Sequence, residues 1–152
     1  MNVETATQDR RKKMLHAIDE LIAERNDVLV SYSELAKIES PEEDRSVYDT
    51  VDKFCALLID YTALGQFEIF GRIIEGKERR EDVRLAAEQV YPKLLNSTDV
   101  IIAMNEKYDL ETGDPVLEDL HDDLSRLGEA MAERFEAEDF ILTHLSVQAP
   151  VA

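Results

Sequence analysis

"FCALLIDYTALGQFEIF", Phe54 to Phe70, is nearly all apolar, yet it holds Asp60 near its centre and Gly65-Gln66 in its second half. Phe54, Leu58 and Tyr61 recur at steps of four and three, the spacing of one helix face. At about 100° per residue, Asp60 points roughly 140° away from that stripe. If the helix continues past Gly65, then Ala56, Leu64 and Phe67 share the outward face with Asp60. The helix is then apolar on two sides, and an outward apolar strip around a carboxylate is a candidate partner site. If Gly65 instead breaks the helix, Phe67 folds inward and the strip is lost. Periodicity leaves both readings open.

Outward from this stretch, the same spacing extends over the whole chain. A first segment, about Gln8 to Ala36, carries Met14, Ile18, Leu21, Arg25, Val28, Tyr32 and Leu35 on one face. "SPEED" follows, with Ser40 as N-cap, Pro41 in the first turn and Glu43 three residues on, so a second helix is expected to start there. Its stripe is Val47, Val51, Phe54, Leu58 and Tyr61, resuming through Ile69 and Ile73 to a break around Gly76. The third segment carries Val83, Ala87, Val90, Leu94, Thr98, Ile101 and Asn105, and Pro92 inside it predicts a kink. "YDLETGDP" reads as a loop, with Asp114 and Pro115 opening a fourth helix. That helix runs on Leu117, Leu120, Leu124, Leu127, Met131, Phe135, Glu138, Leu142 and Leu145. Four amphipathic segments with short connections predict an all-α, up-down-up-down four-helix bundle. It forms one domain over residues 1–152, with an ordered core at 8–145, a short polar N-terminal arm and the tail "SVQAPVA".

Two charges lie in the middle of apolar stripes, Arg25 on the first helix and Glu138 on the fourth. In such a bundle these helices are antiparallel neighbours, and counting from their ends puts both residues at one level. They are expected to pair inside the bundle, the alternative being that each reaches water alone. The run Arg10-Arg11-Lys12-Lys13 is expected to stay solvated. It opens a helix with positive charge, against the macrodipole.

The net charge of −17, from 34 acidic and 17 basic residues, makes direct binding to nucleic acid or to an anionic membrane unfavourable. A basic protein partner is the natural complement. Cys55 is alone, so no disulfide forms within the chain, and a reducing compartment fits. "MNVETATQDRRKK" has no apolar signal core, and no apolar run is read as approaching membrane-spanning length, so a cytoplasmic location is expected. The histidines are His16, His121 and His144. Glu118-Asp119-Leu120-His121 matches Glu-x-x-His once, where a di-iron bundle needs it twice. Phosphate loops, nucleophile elbows and dinucleotide fingerprints are missing from the sequence. Neither catalysis nor a cofactor or metal is expected.

Four stretches carry a resemblance. "FCALLIDYTALGQFEIFGRII" resembles the central motif of the Rsd/AlgQ family of bacterial anti-sigma factors, and "LGEAMAERFEAEDFIL" its C-terminal signature. "ERNDVLVSYSELA" is similar to the family's first helix and "YPKLLNSTDVI" to its third, so the likeness covers about Met14 to Leu145. Gln66 stands where the family usually has histidine, Phe70 where it has tyrosine, and the first-helix tryptophan is absent. The resemblance implies a protein that binds the primary sigma factor of RNA polymerase, chiefly its basic region 4. That would keep sigma from core polymerase and from the −35 promoter element. It also implies that Asp60 takes part in sigma contact, flanked by the aromatic segment after it, which favours the outward-facing reading. The rival reading is an acidic helical adaptor for another regulatory protein, such as a phosphotransfer-system carrier.

Overall fold

The computed structural model describes residues 3–41, 45–109, 111 and 116–147, and among these every regular element is helical. Helix α1 spans Val3–Ala36. Helix α2 is a continuous rod, Val47–Ile74, made of an α-helix Val47–Leu64, a π-helical turn Gly65–Phe70 and a last α-turn Gly71–Ile74. Helix α3 is Glu81–Lys107, and α4 is Leu120–Val147 after a 3-10 turn at Leu117–Asp119. Helix α1 packs mainly on α2 and α3 mainly on α4. Contacts of α2 with α3 and of α1 with α4 close the four-helix bundle.

Several boundaries differ from expectation. Helix α1 begins at Val3 rather than near Gln8. The polar stretch "VETATQDRR" contains no Gly or Pro, so nothing stops the helix from running on through it. Helix α2 begins at Val47 behind Ser46, not at Ser40, and Glu43 of the expected capping box lies outside the described residues. Asp114 and Pro115, expected to open α4, also lie outside them. Pro92 sits within α3, which runs unbroken from Glu81 to Lys107.

The expected stripes form the core. Leu21, Val28, Leu35, Val51, Phe54, Leu58, Tyr61, Ile69, Ile73, Val83, Ala87, Ile101, Leu120 and Leu127 are all buried. At the end of α3 the buried positions are Met104 and Tyr108, while Asn105 is only half-buried. Helix α4 buries a second row, Arg134, Ala137 and Ile141, beside the expected one.

Helix α2 corrects a further expectation. By length and composition it could cross a membrane, with a window of mean hydropathy 1.2. Asp60 interrupts the visible apolar run and lowers that average, but the apolar residues on either side of it outweigh it. Half of the window, 50%, is buried within the bundle, the pattern of a core helix.

The π turn follows from the spacing of the stripe. Tyr61, Gly65, Ile69 and Ile73 are three steps of four and all are buried. In a pure α-helix those steps would rotate the stripe by about 120° off the core. A wider turn takes up the drift, and the Gly71 N–H bonds the Gln66 carbonyl across five residues. Close approach makes Gly71 obligatory, since a Cβ there would collide with the Gln66 carbonyl oxygen. Gly71→Ala is therefore expected to lower stability by about 1–3 kcal/mol, read from urea midpoints. A variant as stable as the parent would show that the π register is not needed.

Candidate functional site

A buried polar cluster fixes the orientation of α2. Glu138 on α4 is fully buried. Its Oε1 accepts a very short hydrogen bond from the Tyr61 hydroxyl of α2, and Arg25 Nη2 of α1 lies 3.3 Å from the same oxygen. Its Oε2 accepts from Arg134 Nε, one helical turn earlier, at 3.2 Å. Arg134 continues to α3, where its Nη1 donates to Thr98 Oγ1 at 2.9 Å, Ser97 Oγ at 3.1 Å and the Leu94 carbonyl at 3.3 Å. Arg25 also donates from Nη1 to the exposed Asp139 at 2.9 Å and lies over the Phe135 ring at 5.0 Å. One carboxylate thus connects all four helices.

Burial pushes the Glu138 carboxyl above the ordinary carboxylate range, against the pull of Arg134, the Tyr61 hydroxyl and Arg25. Burial also raises the Tyr61 phenol, helped by the neighbouring Glu138 charge. Arg134, absent from the stripe drawn on the sequence, is the residue that sequence reasoning missed. The available signal was its step of four to Glu138, facing the small hydroxyls of Ser97 and Thr98.

On the opposite side of α2, the helix continues through Gly65 and Phe67 does not turn inward. Ala56 and Asp60 are exposed, Leu64 is half-buried, and Phe67 is 73% exposed, the most exposed large apolar side chain among the described residues. The π turn puts Phe67 there, since Gly65, Ile69 and Phe70 take the inward positions. Asp60 lies in an acidic neighbourhood shared with α1. The Glu24 carboxyl is held above its usual value by partial burial and by the charges of Asp60, Glu20 and Asp27. Glu24 Oε2 is buried without a hydrogen-bond partner among the described residues. This surface can offer negative charge and apolar area to a cationic, partly apolar protein segment.

Other polar residues brace the ends of the bundle. Lys107 at the end of α3 pairs with Asp119 at 3.1 Å and Asp123 at 2.8 Å, and the buried Tyr108 donates to Asp123 at 2.6 Å. His121 Nε2 meets the Ile38 carbonyl after α1, while Glu118 is exposed in the 3-10 turn. Cys55 is buried, and its thiol is pushed up to about 11, chiefly by burial. Among the described residues, no three His, Cys, Asp or Glu side chains group closely enough to hold a metal ion.

The family model described as "Regulator of RNA polymerase sigma(70) subunit, Rsd/AlgQ" matches residues 1–146. Proteins called Regulator of sigma D are similar over most of their length. The one from Yersinia pseudotuberculosis is 32% identical over 129 residues, covering 82% of this chain and 76% of the relative. That from Yersinia enterocolitica is 32% identical with 82% and 77% covered. That from an Enterobacter species is 33% identical over 131 residues, again with 82% and 77% covered. No solved structure matches the chain significantly.

Glu138→Gln leaves Arg25 and Arg134 without their buried counter-charge, with an expected loss of about 3–5 kcal/mol. The double variant Arg134→Met/Glu138→Leu removes both charges and should be more stable than Glu138→Gln. Strict additivity of Arg134→Met and Glu138→Leu in a double-mutant cycle would show that the pair is uncoupled. Glu24, with its folded-state value raised, binds more protons folded than unfolded, so its contribution is full in acid and is lost as pH rises through the raised value. Glu24→Gln should flatten this part of the stability curve, and an unchanged curve would contradict the assignment.

Proposed function

The chain belongs to the Rsd/AlgQ family of regulators of the RNA polymerase sigma(70) subunit, and from that premise we propose that it acts as an anti-sigma factor on region 4 of the primary sigma factor. It regulates sigma activity as a binding protein, without catalysis or cofactor. Its site is the outward strip of α2, Ala56, Asp60, Leu64 and Phe67. The observation that carries this reading is the 73% exposure of Phe67, about two helical turns beyond the exposed Asp60 on α2.

The mechanism is competition. Region 4 carries cations that meet promoter phosphates, and the acidic face engages the same cations. Steering by a net charge of −17 speeds encounter, most strongly at low salt. Phe67 and Leu64 add apolar burial, which salt does not screen. Sigma held in this way reaches neither core polymerase nor the −35 element. A partner that works inside the cell places the protein in the cytoplasm. The rival adaptor reading has no observation of its own.

The test is binding to isolated region 4 of the cognate primary sigma factor across a salt series, alongside transcription by the primary holoenzyme. Phe67→Ala should weaken binding by about 2 kcal/mol or more, with its salt slope kept. Asp60→Ala should weaken it most at low salt and flatten the slope. The protein should depress transcription, and added core polymerase should relieve the inhibition. Tight binding untouched by either variant would remove the site but leave the anti-sigma function. Absence of binding, with transcription unaffected, would give the scaffold to the adaptor role.

A further inference from the structure

At the end of the bundle where α1 begins and α2 ends lies a groove of about 560 Å³. Arg10, Arg11 and Lys13 of α1 line one side of it. Arg72 of α2 and Lys77, Arg79 and Arg80 of the following connection line the other, with Glu68 and Glu78 as the opposing charges. Seven of the chain's 17 cations therefore border a single groove on a protein of net charge −17. Arg80 is held by Glu78 at 2.8 Å and Lys77 by Glu75 at 3.3 Å. Arg10, Arg11, Lys13, Arg72 and Arg79 pair with no carboxylate among the described residues. With 34 carboxylates in the chain, this self-repulsion is not forced by composition. The cations at the start of α1 also oppose its macrodipole. The groove is apolar beneath, where Met14, Ile18, Ile73 and Leu145 meet.

We propose that this groove binds a compact polyanion with several phosphates on an organic body that has one flat face able to lie on apolar side chains, that is, a nucleotide-class ligand. The phosphates would meet the unpaired arginines and Lys13, and the body would lie on the Met14–Ile73 floor. The volume falls within the range of small-molecule sites, roughly 300–1,000 Å³. Duplex or single-stranded nucleic acid extends well beyond such a groove, onto a surface whose net charge repels phosphates. An acidic protein segment meets the same repulsion outside it.

The experiment titrates the full chain with GTP and with ATP by calorimetry at about 150 mM salt, with inorganic tripolyphosphate in parallel. Saturable one-to-one binding of at least one nucleotide is expected, tighter than that of tripolyphosphate. Arg72→Gln/Arg79→Gln should weaken it at least about tenfold, while Lys53→Gln, outside the groove, should leave it unchanged. Methyl shifts of Met14, Ile18, Ile73 and Leu145 in the unsubstituted protein give a second readout that does not depend on the variants. The proposal is overturned by absence of saturable binding, by equal loss in Lys53→Gln, or by methyl shifts elsewhere. Tripolyphosphate binding as tight as nucleotide binding would overturn the assignment to a nucleotide, since the organic body would then contribute nothing. An oligoglutamate peptide binding more tightly than either nucleotide would give the groove to an acidic protein segment.

Discussion

The bundle is organised around one carboxylate that cannot reach water. Glu138 is fully buried, and such a charge is tolerated only where its hydrogen-bonding capacity is met. Tyr61 meets it from α2, Arg134 from the preceding turn of α4, and Arg25 stands beside it from α1. Arg134 in turn needs acceptors, and Leu94, Ser97 and Thr98 of α3 provide them. Each of these bonds requires a particular rotation and height of its helix. Leucine and valine can pack in many neighbouring registers. Tyr61 reaches Glu138 in one, and that fixes which side of α2 faces out.

The exposure of Phe67 is tied to that constraint. With Tyr61 committed to Glu138, the rest of α2 has to bury Ile69, Phe70 and Ile73 on the same side. The π turn makes the two demands compatible, and Gly71 makes the π turn possible. Gln66, Phe67 and Glu68 lie on the turn's outer side as a consequence of what the turn buries. The proposed contact surface is thus built by the core, through a helix whose inner face is fully specified.

Most of the fold was legible because the stripes obey one period over four segments, and charges inside stripes announce themselves. Legibility failed where the signal was weak or the geometry changed. The start of α1 carries no stripe, so the sequence offered no reason to extend the helix to Val3. "SPEED" has good capping chemistry, but a cap acts only where packing places the helix end, and α2 begins at Val47. Arg134 sits one position from the counted stripe, and a buried arginine is invisible until its acceptors on another helix are known. At Gly65 the sequence could not choose between a break and a continuation, and the structure continues the helix through a π turn. Steps of four from Tyr61 to Ile73 are awkward for an α-helix but natural for a helix with one wide turn.

Charge is also sorted along the molecule. Asp60, with Glu20, Glu24 and Asp27, lies toward one part of the α1–α2 face, and the cations of the groove gather at the end where α1 begins. From Asp60 to Arg72 is twelve residues of helix, or about 18 Å along its axis. That exceeds the Debye length at physiological salt, about 8 Å. The cations therefore do little to weaken the attraction of the acidic face for a basic partner, and the acidic face does little to empty the groove of an anion. Interspersed charges would have cancelled locally and left neither field. Phe67 lies on the stretch between the two, beside Glu68, which itself borders the groove. An anion there would draw on the arginines while pressing against that carboxylate.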